Sequence, residues 1–256
     1  MILVLAGTVD GRGIAAELTA AGYAVVVSVV SDYGKALAEQ SGAKVQAAAM
    51  TAVELEQYIR SEGIRLVIDA THPYAVNVSR NAAEAVRQAQ VPCLRYERPG
   101  SDLPAYDKLL VAMDMPEAAE LAVRAGRTIF LTTGSHTLPL FRKAATGTDC
   151  RLIARVLPQP DVIAACLAAG FTPADIVAAQ GPFSRELNIA LFQEYRADVM
   201  VTKNSGSVGG TDAKIAAAMA LGLTIVVVQR PPLTGDQVFD SVAGLLEYIQ
   251  RSGICS

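Results

Sequence analysis

Short runs of β-branched and aliphatic residues alternate along the chain with alanine-rich stretches whose apolar positions recur at helical spacing. This is the pattern of parallel βαβ units: a strand buried on both faces reads as a continuous apolar run, and its crossover reads as a helix. The pattern predicts strands at Ile2–Ala6, Ala24–Val30, Lys44–Ala47, Leu66–Ala70 and Cys93–Tyr96, with helices near Gly13–Ala21, Gly34–Ser41, Ala52–Glu62 and Val76–Gln90. After Arg98 the stretch PGSDLPAYD carries turn formers and no apolar period, as connections between domains do. The alternation then restarts, predicting strands near Lys108–Val111, Thr128–Leu131, Arg151–Val156, Ile176–Ala179, Val199–Thr202 and Thr224–Val228. A last helix over Asp236–Arg251, apolar at Val238, Val242, Leu245, Leu246 and Ile249, closes one lobe or the other. The expected fold is therefore α/β: two Rossmann-like lobes, each a mainly parallel sheet flanked by helices, over residues 1–98 and 99–256, with a cleft between them.

Composition removes several classes of function. With 52% hydrophobic and 18% charged residues among 256, the chain has enough apolar side chains to bury a sizeable core. No apolar run approaches the roughly 18 residues of a membrane span, so no membrane association is expected. The amino terminus passes from strand to glycine loop without a basic leader, and a cytoplasmic location is expected. A net charge of −3 and the absence of Trp argue against a nucleic-acid surface. Cys93, Cys150, Cys166 and Cys255 are scattered, with no C-x-x-C pair and no histidine at ligand spacing, so reduced thiols and no metal site are expected.

In open α/β sheets ligands bind outside the carboxyl ends of the strands, where the next helix presents free N–H groups and the positive end of its dipole. Several strand exits carry the candidate chemistry. The first strand leads into Gly7-Thr8-Val9-Asp10-Gly11-Arg12-Gly13, where glycines let a phosphate approach the backbone and Thr8 and Arg12 can donate to it, although the spacing departs from G-x-G-x-x-G. The second ends in Ser31-Asp32-Tyr33-Gly34-Lys35; Asp32 suits a ribose 2′-hydroxyl, whereas Ser31 and Lys35 suit a 2′-phosphate, and composition leaves that choice open. The fourth runs into Thr71-His72-Pro73-Tyr74, placing one of the two histidines at a strand exit; a turn fixed by Pro73 is the plainer reading of this cluster. The other histidine occupies the corresponding place in the second lobe, in Thr133-Gly134-Ser135-His136-Thr137, where a helix N-cap is the alternative. Lys203-Asn204-Ser205-Gly206-Ser207-Val208-Gly209-Gly210, followed by Lys214 on a helix, is the most anion-friendly loop in the chain. No P-loop, G-x-S-x-G elbow or H-E-x-x-H helix is present.

Taken in order, the segments LAGTVDGR, SVVSDYG, DATHPYAVNVSRNA, RYERP, LTTGSH, RVLP, QGPFSRELN and DVMVTKNSGSVGG resemble the precorrin-6A and cobalt-precorrin-6A reductases of cobalamin biosynthesis over nearly the whole chain. DATHPYA and TKNSG-x-x-GG carry most of the specificity. The resemblance implies reduction of one double bond of a tetrapyrrole macrocycle with NADPH, giving precorrin-6B or its cobalt form; any metal belongs to the substrate. It places Gly7, Thr8, Gly11, Arg12, Ser31, Lys35 and Thr71 with the cofactor, and Thr133, Ser135, His136, Lys203, Asn204, Ser205, Gly206 and Lys214 with the macrocycle. His72, Tyr74 and Asp10 become candidates for positioning and proton handling. It leaves open a hand-over of the macrocycle from neighbouring pathway enzymes. Two rival readings stand beside it: an NAD(P)-dependent oxidoreductase of another small substrate, and a non-catalytic NADPH-binding sensor. A Tyr-x-x-x-Lys pair would favour the first, and none stands at the expected strand exit.

Overall fold

The computed structural model describes residues 1–30, 32–39, 42–232 and 237–254. In chain order the elements are β1 Ile2–Ala6, α1 Val9–Ala20, β2 Val25–Val29, α2 Asp32–Ala38, β3 Lys44–Ala47, α3 Ala52–Ser61, β4 Leu66–Ala70, α4 Val76–Ala89 and β5 Cys93–Tyr96. There follow β6 Leu109–Ala112, α5 Met115–Ala125, β7 Thr128–Leu131, α6 Leu138–Ala144, β8 Arg151–Val156, α7 Pro160–Ala168, β9 Ile176–Ala178, α8 Arg185–Glu194, β10 Val199–Lys203, α9 Thr211–Ala220 and β11 Thr224–Val228. The chain closes with β12 Val238–Phe239 and α10 Val242–Ser252. Among the described residues no helix is long and apolar enough to cross a membrane.

Two compact units result: residues 1–99 with 232–256, and residues 100–231. Each contains one sheet, and the strand pairings among the described residues are parallel. The first sheet has the order β12-β5-β4-β1-β2-β3, so the chain reverses direction across the sheet between β1 and β4. The second has the order β6-β11-β10-β7-β8-β9, with the corresponding reversal between β7 and β10. At such a reversal the two flanking helices leave on opposite faces and open a crevice at the carboxyl ends of the strands.

Alternation along β1 shows why its apolar run is uninterrupted. Ile2, Val4 and Ala6 enter one core with Ile14 and Leu18 of α1 and Leu245 and Ile249 of α10. Leu3 and Leu5 enter another with Leu55 and Ile59 of α3 and Ala82, Ala85 and Val86 of α4. In the second unit Phe130, Met200, Ile225 and Val227 pack with Phe192 of α8 and Ile215, Ala217 and Ala218 of α9.

The pattern-based elements differ from the observed ones at two places that matter. Helix α1 begins at Val9, four residues before the expected Gly13, because Thr8 serves as its N-cap, its hydroxyl accepting the Gly11 N–H at 3.1 Å. Gly11, Arg12 and Gly13 are thus helical and not part of a loop. The helix expected over 236–251 is instead a strand followed by a helix. Val238 and Phe239 pair with Arg95 and Tyr96 at the edge of the first sheet, and α10 starts after Ser241, whose hydroxyl caps Gly244. The terminal helix thereby belongs to the first unit.

Candidate functional site

The exits of β1 and β4 flank the reversal in the first sheet. Gly7 is exposed, and a Cβ placed there would meet nothing within 4 Å, so the backbone at this turn is open to a ligand. Thr8 is buried: besides capping α1 it donates to the Ala70 carbonyl at 3.1 Å, tying the two exits together. Gly11 faces the strand, where a Cβ would lie 2.8 Å from that of Ala6, so its absence lets α1 pack close against β1. The first-turn amides of α1 therefore sit beside the crevice with their positive dipole end.

Below these loops runs a buried polar network. Asp69 and Arg95 are register partners on β4 and β5, with Arg95 Nη1 2.8 Å from Asp69 Oδ1. The same Asp69 oxygen accepts the Thr71 N–H at 3.0 Å and its hydroxyl at 2.7 Å. Arg95 also donates to Thr71 Oγ1 at 3.1 Å and to Glu97 Oε2 at 2.9 Å. At 5% side-chain exposure for both Arg95 and Asp69, such a pair contributes more to fixed geometry than to net stability, while loss of either partner would leave a buried charge. Its effect is to hold the start of the Thr71–Tyr74 loop.

In that loop the Tyr74 amide donates to His72 Nδ1 at 3.3 Å, and the two rings lie 5.6 Å apart, tilted. With Nδ1 accepting, the neutral imidazole carries its hydrogen on Nε2. Asp10, in the first turn of α1, forms an ion pair with Arg98. Thr8, Asp10, Thr71, Pro73, Tyr96 and Arg98 line a small depression here, and Tyr96 has its hydroxyl pKa raised, chiefly by burial and then by Asp10.

The second reversal lies between the exits of β7 and β10. After β7, Thr133 is buried with its hydroxyl 2.8 Å from that of Thr137, and Gly134 takes φ 87°, which turns the chain into a short 3-10 segment at Ser135–Thr137. His136 is exposed there. After β10, Asn204 grips the backbone of Ser101 in both directions, donating to its carbonyl at 2.9 Å and accepting its N–H at 2.8 Å. Thr211 accepts the Ser205 N–H at 3.1 Å, and Arg230 donates to the Asn204 carbonyl at 2.7 Å. Gly206 and Gly210, at φ 76° and 70°, allow the loop to double back into α9.

Three cationic side chains gather at this end of the second sheet. Lys214 is 7% exposed, and its side chain has no hydrogen-bond or ion-pair partner among the described residues. Burial, then Arg155, then Lys203 lower its pKa from the ordinary 10.5 to about 7. Burial also lowers that of Lys203, and brings Arg155 down to about 10. Arg155 donates to Asn188 Oδ1 at 2.7 Å and stacks 4.7 Å above the centroid of Phe183. Among the described residues, no carboxylate forms an ion pair with Arg155 or Lys214.

The residues singled out in the sequence fall into three groups. Gly7, Thr8, Asp10, Thr71, His72 and Tyr74 come together at the first reversal, with Arg12 on the first turns of α1. The hydroxyls of Thr8 and Thr71 point into the protein network, and Asp10 is paired with Arg98. Thr133, Ser135, His136, Lys203, Asn204, Ser205 and Gly206 flank the second reversal, with Lys214 beneath. Lys35 is exposed on α2, apart from the β1 and β4 exits, and Ser31 lies outside the described residues. Asp69, Arg95, Glu97, Arg155 and Asn188 had no role in the sequence reading. A charged residue at the end of each of two neighbouring apolar strands, LVIDA and CLRY, was the available signal for the first pair. Among the described residues no cluster of His, Cys, Asp or Glu could hold a metal ion.

Residues 1–250 match the family model of precorrin-6x reductase CbiJ/CobK. The chain is 39% identical over 242 residues to the cobalt-precorrin-6A reductase of Priestia megaterium, covering 94% of both chains. It is 38% identical to that of Salmonella typhimurium, covering 98% of this chain and 95% of the relative. The solved structure of a CobK precorrin-6A reductase superposes with a TM-score of 0.82 at 27% identity, over 99% of this chain and 97% of the other. Two doubly wound parallel sheets, an open helix start in one and a buried basic cluster in the other thus sit in a chain that belongs to the precorrin-6x reductase CbiJ/CobK family.

Proposed function

We propose that the chain reduces one double bond of the precorrin-6A macrocycle, or of its cobalt form, with NADPH as hydride source, in the cytoplasm. The observation that carries this reading is the presence of two reversal crevices that favour anions by different means, helix-start amides in one and buried cationic side chains in the other. The first unit presents the open Gly7 turn and the start of α1, a setting suited to a pyrophosphate, and holds the cofactor. The second presents Lys203, Lys214 and Arg155 with amides and hydroxyls around them, a setting suited to a substrate bearing several carboxylates, and holds the macrocycle.

The bound nicotinamide supplies the hydride. His72, held by the Tyr74 amide on a loop fixed by Asp69 and Arg95, orients the reacting end of the cofactor. Lys35 on α2 supplies the charge for a 2′-phosphate, which favours NADPH over NADH. Lys203 grips carboxylate side chains of the macrocycle. Anaerobic mixing of the protein with NADPH and precorrin-6A, or cobalt-precorrin-6A, tests the proposal. Nicotinamide absorbance falls as the macrocycle spectrum changes, and an unchanged spectrum with both substrates overturns it.

A further inference from the structure

Lys214 is the buried titratable group in the second unit for which gripping a carboxylate is an incomplete account. It stands in the first turn of α9, and because helical side chains tilt toward the amino end, it leans toward the loop that leaves β10. That places its amine at the positive end of the helix dipole, where a cation is disfavoured. The charges that bear on it are also positive: Arg155 from β8 and Lys203 from β10. Of the other elements packed against α9, β11 carries no titratable side chain, and α8 carries Arg185, Glu186 and Glu194, none of which is among the charges that shift Lys214. No side-chain hydrogen-bond or ion-pair partner among the described residues offsets this, and the residue is only 7% exposed. If its role were only to hold a carboxylate, a permanently charged group would serve better, and Arg155 and Arg230 stand at the same end of the sheet.

We infer that Lys214 is the acid of the reduction, giving a proton from its ammonium to the macrocycle atom next to the carbon that receives the hydride. The inference rests on the proposed reductase reading. Reducing a double bond adds one hydride and one proton. The reduced nicotinamide gives up the hydride and is left oxidised, one N–H bond of Lys214 breaks as a bond to hydrogen forms on the macrocycle, and the neutral amine then takes a proton from water. A group that ionises at about 7 is well matched to such a transfer, since it is substantially protonated at neutral pH and releases its proton readily. An approaching carboxylate of the substrate pulls the equilibrium further toward the ammonium form.

The first experiment needs no substrate. In full-length protein carrying 13C at lysine Cε, NMR shows one resonance titrating near neutral pH, and this resonance is missing in Lys214→Arg; a Lys214 resonance that titrates in the ordinary lysine range overturns the inference. The second is single-turnover reduction by wild type, Lys214→Arg and Lys214→Met. Arginine keeps a positive charge for binding but cannot release a proton, so Lys214→Arg binds the macrocycle and loses on the order of 100-fold or more in reduction rate, together with the basic limb of the pH profile. Lys214→Met, close in shape and uncharged, loses the same rate at saturating macrocycle and serves if the arginine does not fit. Wild-type rates in Lys214→Arg, or a Lys214→Met variant that binds weakly but reduces at the wild-type rate once saturated, make the residue an anchor only and overturn the inference while the reductase reading stands. A wild-type protein that reduces neither macrocycle overturns both.

Discussion

At the scale of single residues, burial decides which side chains keep a charge and what that charge can do. His72 and Lys203 sit at the exits of different sheets, and their losses are expected to separate. His72→Ala lowers turnover more than tenfold, within the range of a positioning or acid–base group, and leaves NADPH affinity nearly unchanged. Lys203→Ala weakens macrocycle binding and spares cofactor binding. Titrating each variant with each ligand checks this, and equal losses of both ligands in Lys203→Ala would contradict the assignment. Lys214 also leaves a signature in stability. Its folded pKa of about 7 lies below its ordinary 10.5, so below pH 7 both states carry the proton and the folded state bears the full cost of the buried charge. Between about 7 and 10.5 the unfolded chain holds more protons, and stability rises with pH through that window. Lys214→Met removes this contribution, on the order of 5 kcal/mol across the window, and is the more stable protein at pH 6. Urea denaturation of both proteins at pH 6, 8 and 9.5 reads the difference.

At the scale of elements, nearly every strand, and the helices between the strands of the first unit, were legible, because a doubly wound sheet buries both faces of its strands and its apolar runs carry little noise. Where the reading failed, a polar residue outweighed periodicity. Thr8 starts α1 before the apolar pattern does, and Ser241 delays α10 until after a two-residue strand too short to alternate visibly. The candidate site was legible as loops, since glycines, hydroxyls and histidines gather at strand exits. Its supporting layer was not: Asp69 and Arg95, and likewise Arg155 and Asn188, lie far apart in sequence and meet only once the strands are ordered. The contact between α1 and β1 gives this scale its prediction. Gly11→Ala would place a Cβ 2.8 Å from the Ala6 Cβ and 3.0 Å from the Ala6 Cα, which lie on a buried strand that cannot retreat. The helix must move instead, at a cost of about 1–3 kcal/mol, carrying its first turn away from the Gly7 crevice. Thermal unfolding and NADPH titration are expected to worsen together; a lower Tm with unchanged affinity would show that the crevice does not depend on this packing.

At the scale of the whole molecule, the second unit occupies an unbroken stretch, residues 100–231, whereas the first is assembled from both ends of the chain. Gln237, just before β12, and Phe239 within it supply the carbonyls that accept the Arg95 and Glu97 amides at 2.9 and 2.8 Å, and α10 covers one face of the same sheet with Leu245 and Ile249, each contributing roughly 1.5–3 kcal/mol by burial. Ending the chain after Pro231 is therefore expected to loosen the first unit and spare the second. Amide exchange read by mass spectrometry would show lost protection in β1, β4 and β5 with protection kept in β7 and β10; uniform loss in both would contradict that independence. The same connectivity orders events on the ribosome. Residues 1–99 emerge before the inserted unit but lack their edge strand and covering helix until residues 238–252 follow it, while the inserted unit already has every element of its own. The unit begun before the inserted one is completed after it, and for that interval its unfinished sheet edge and uncovered apolar face are open to mispairing or to capture by a chaperone.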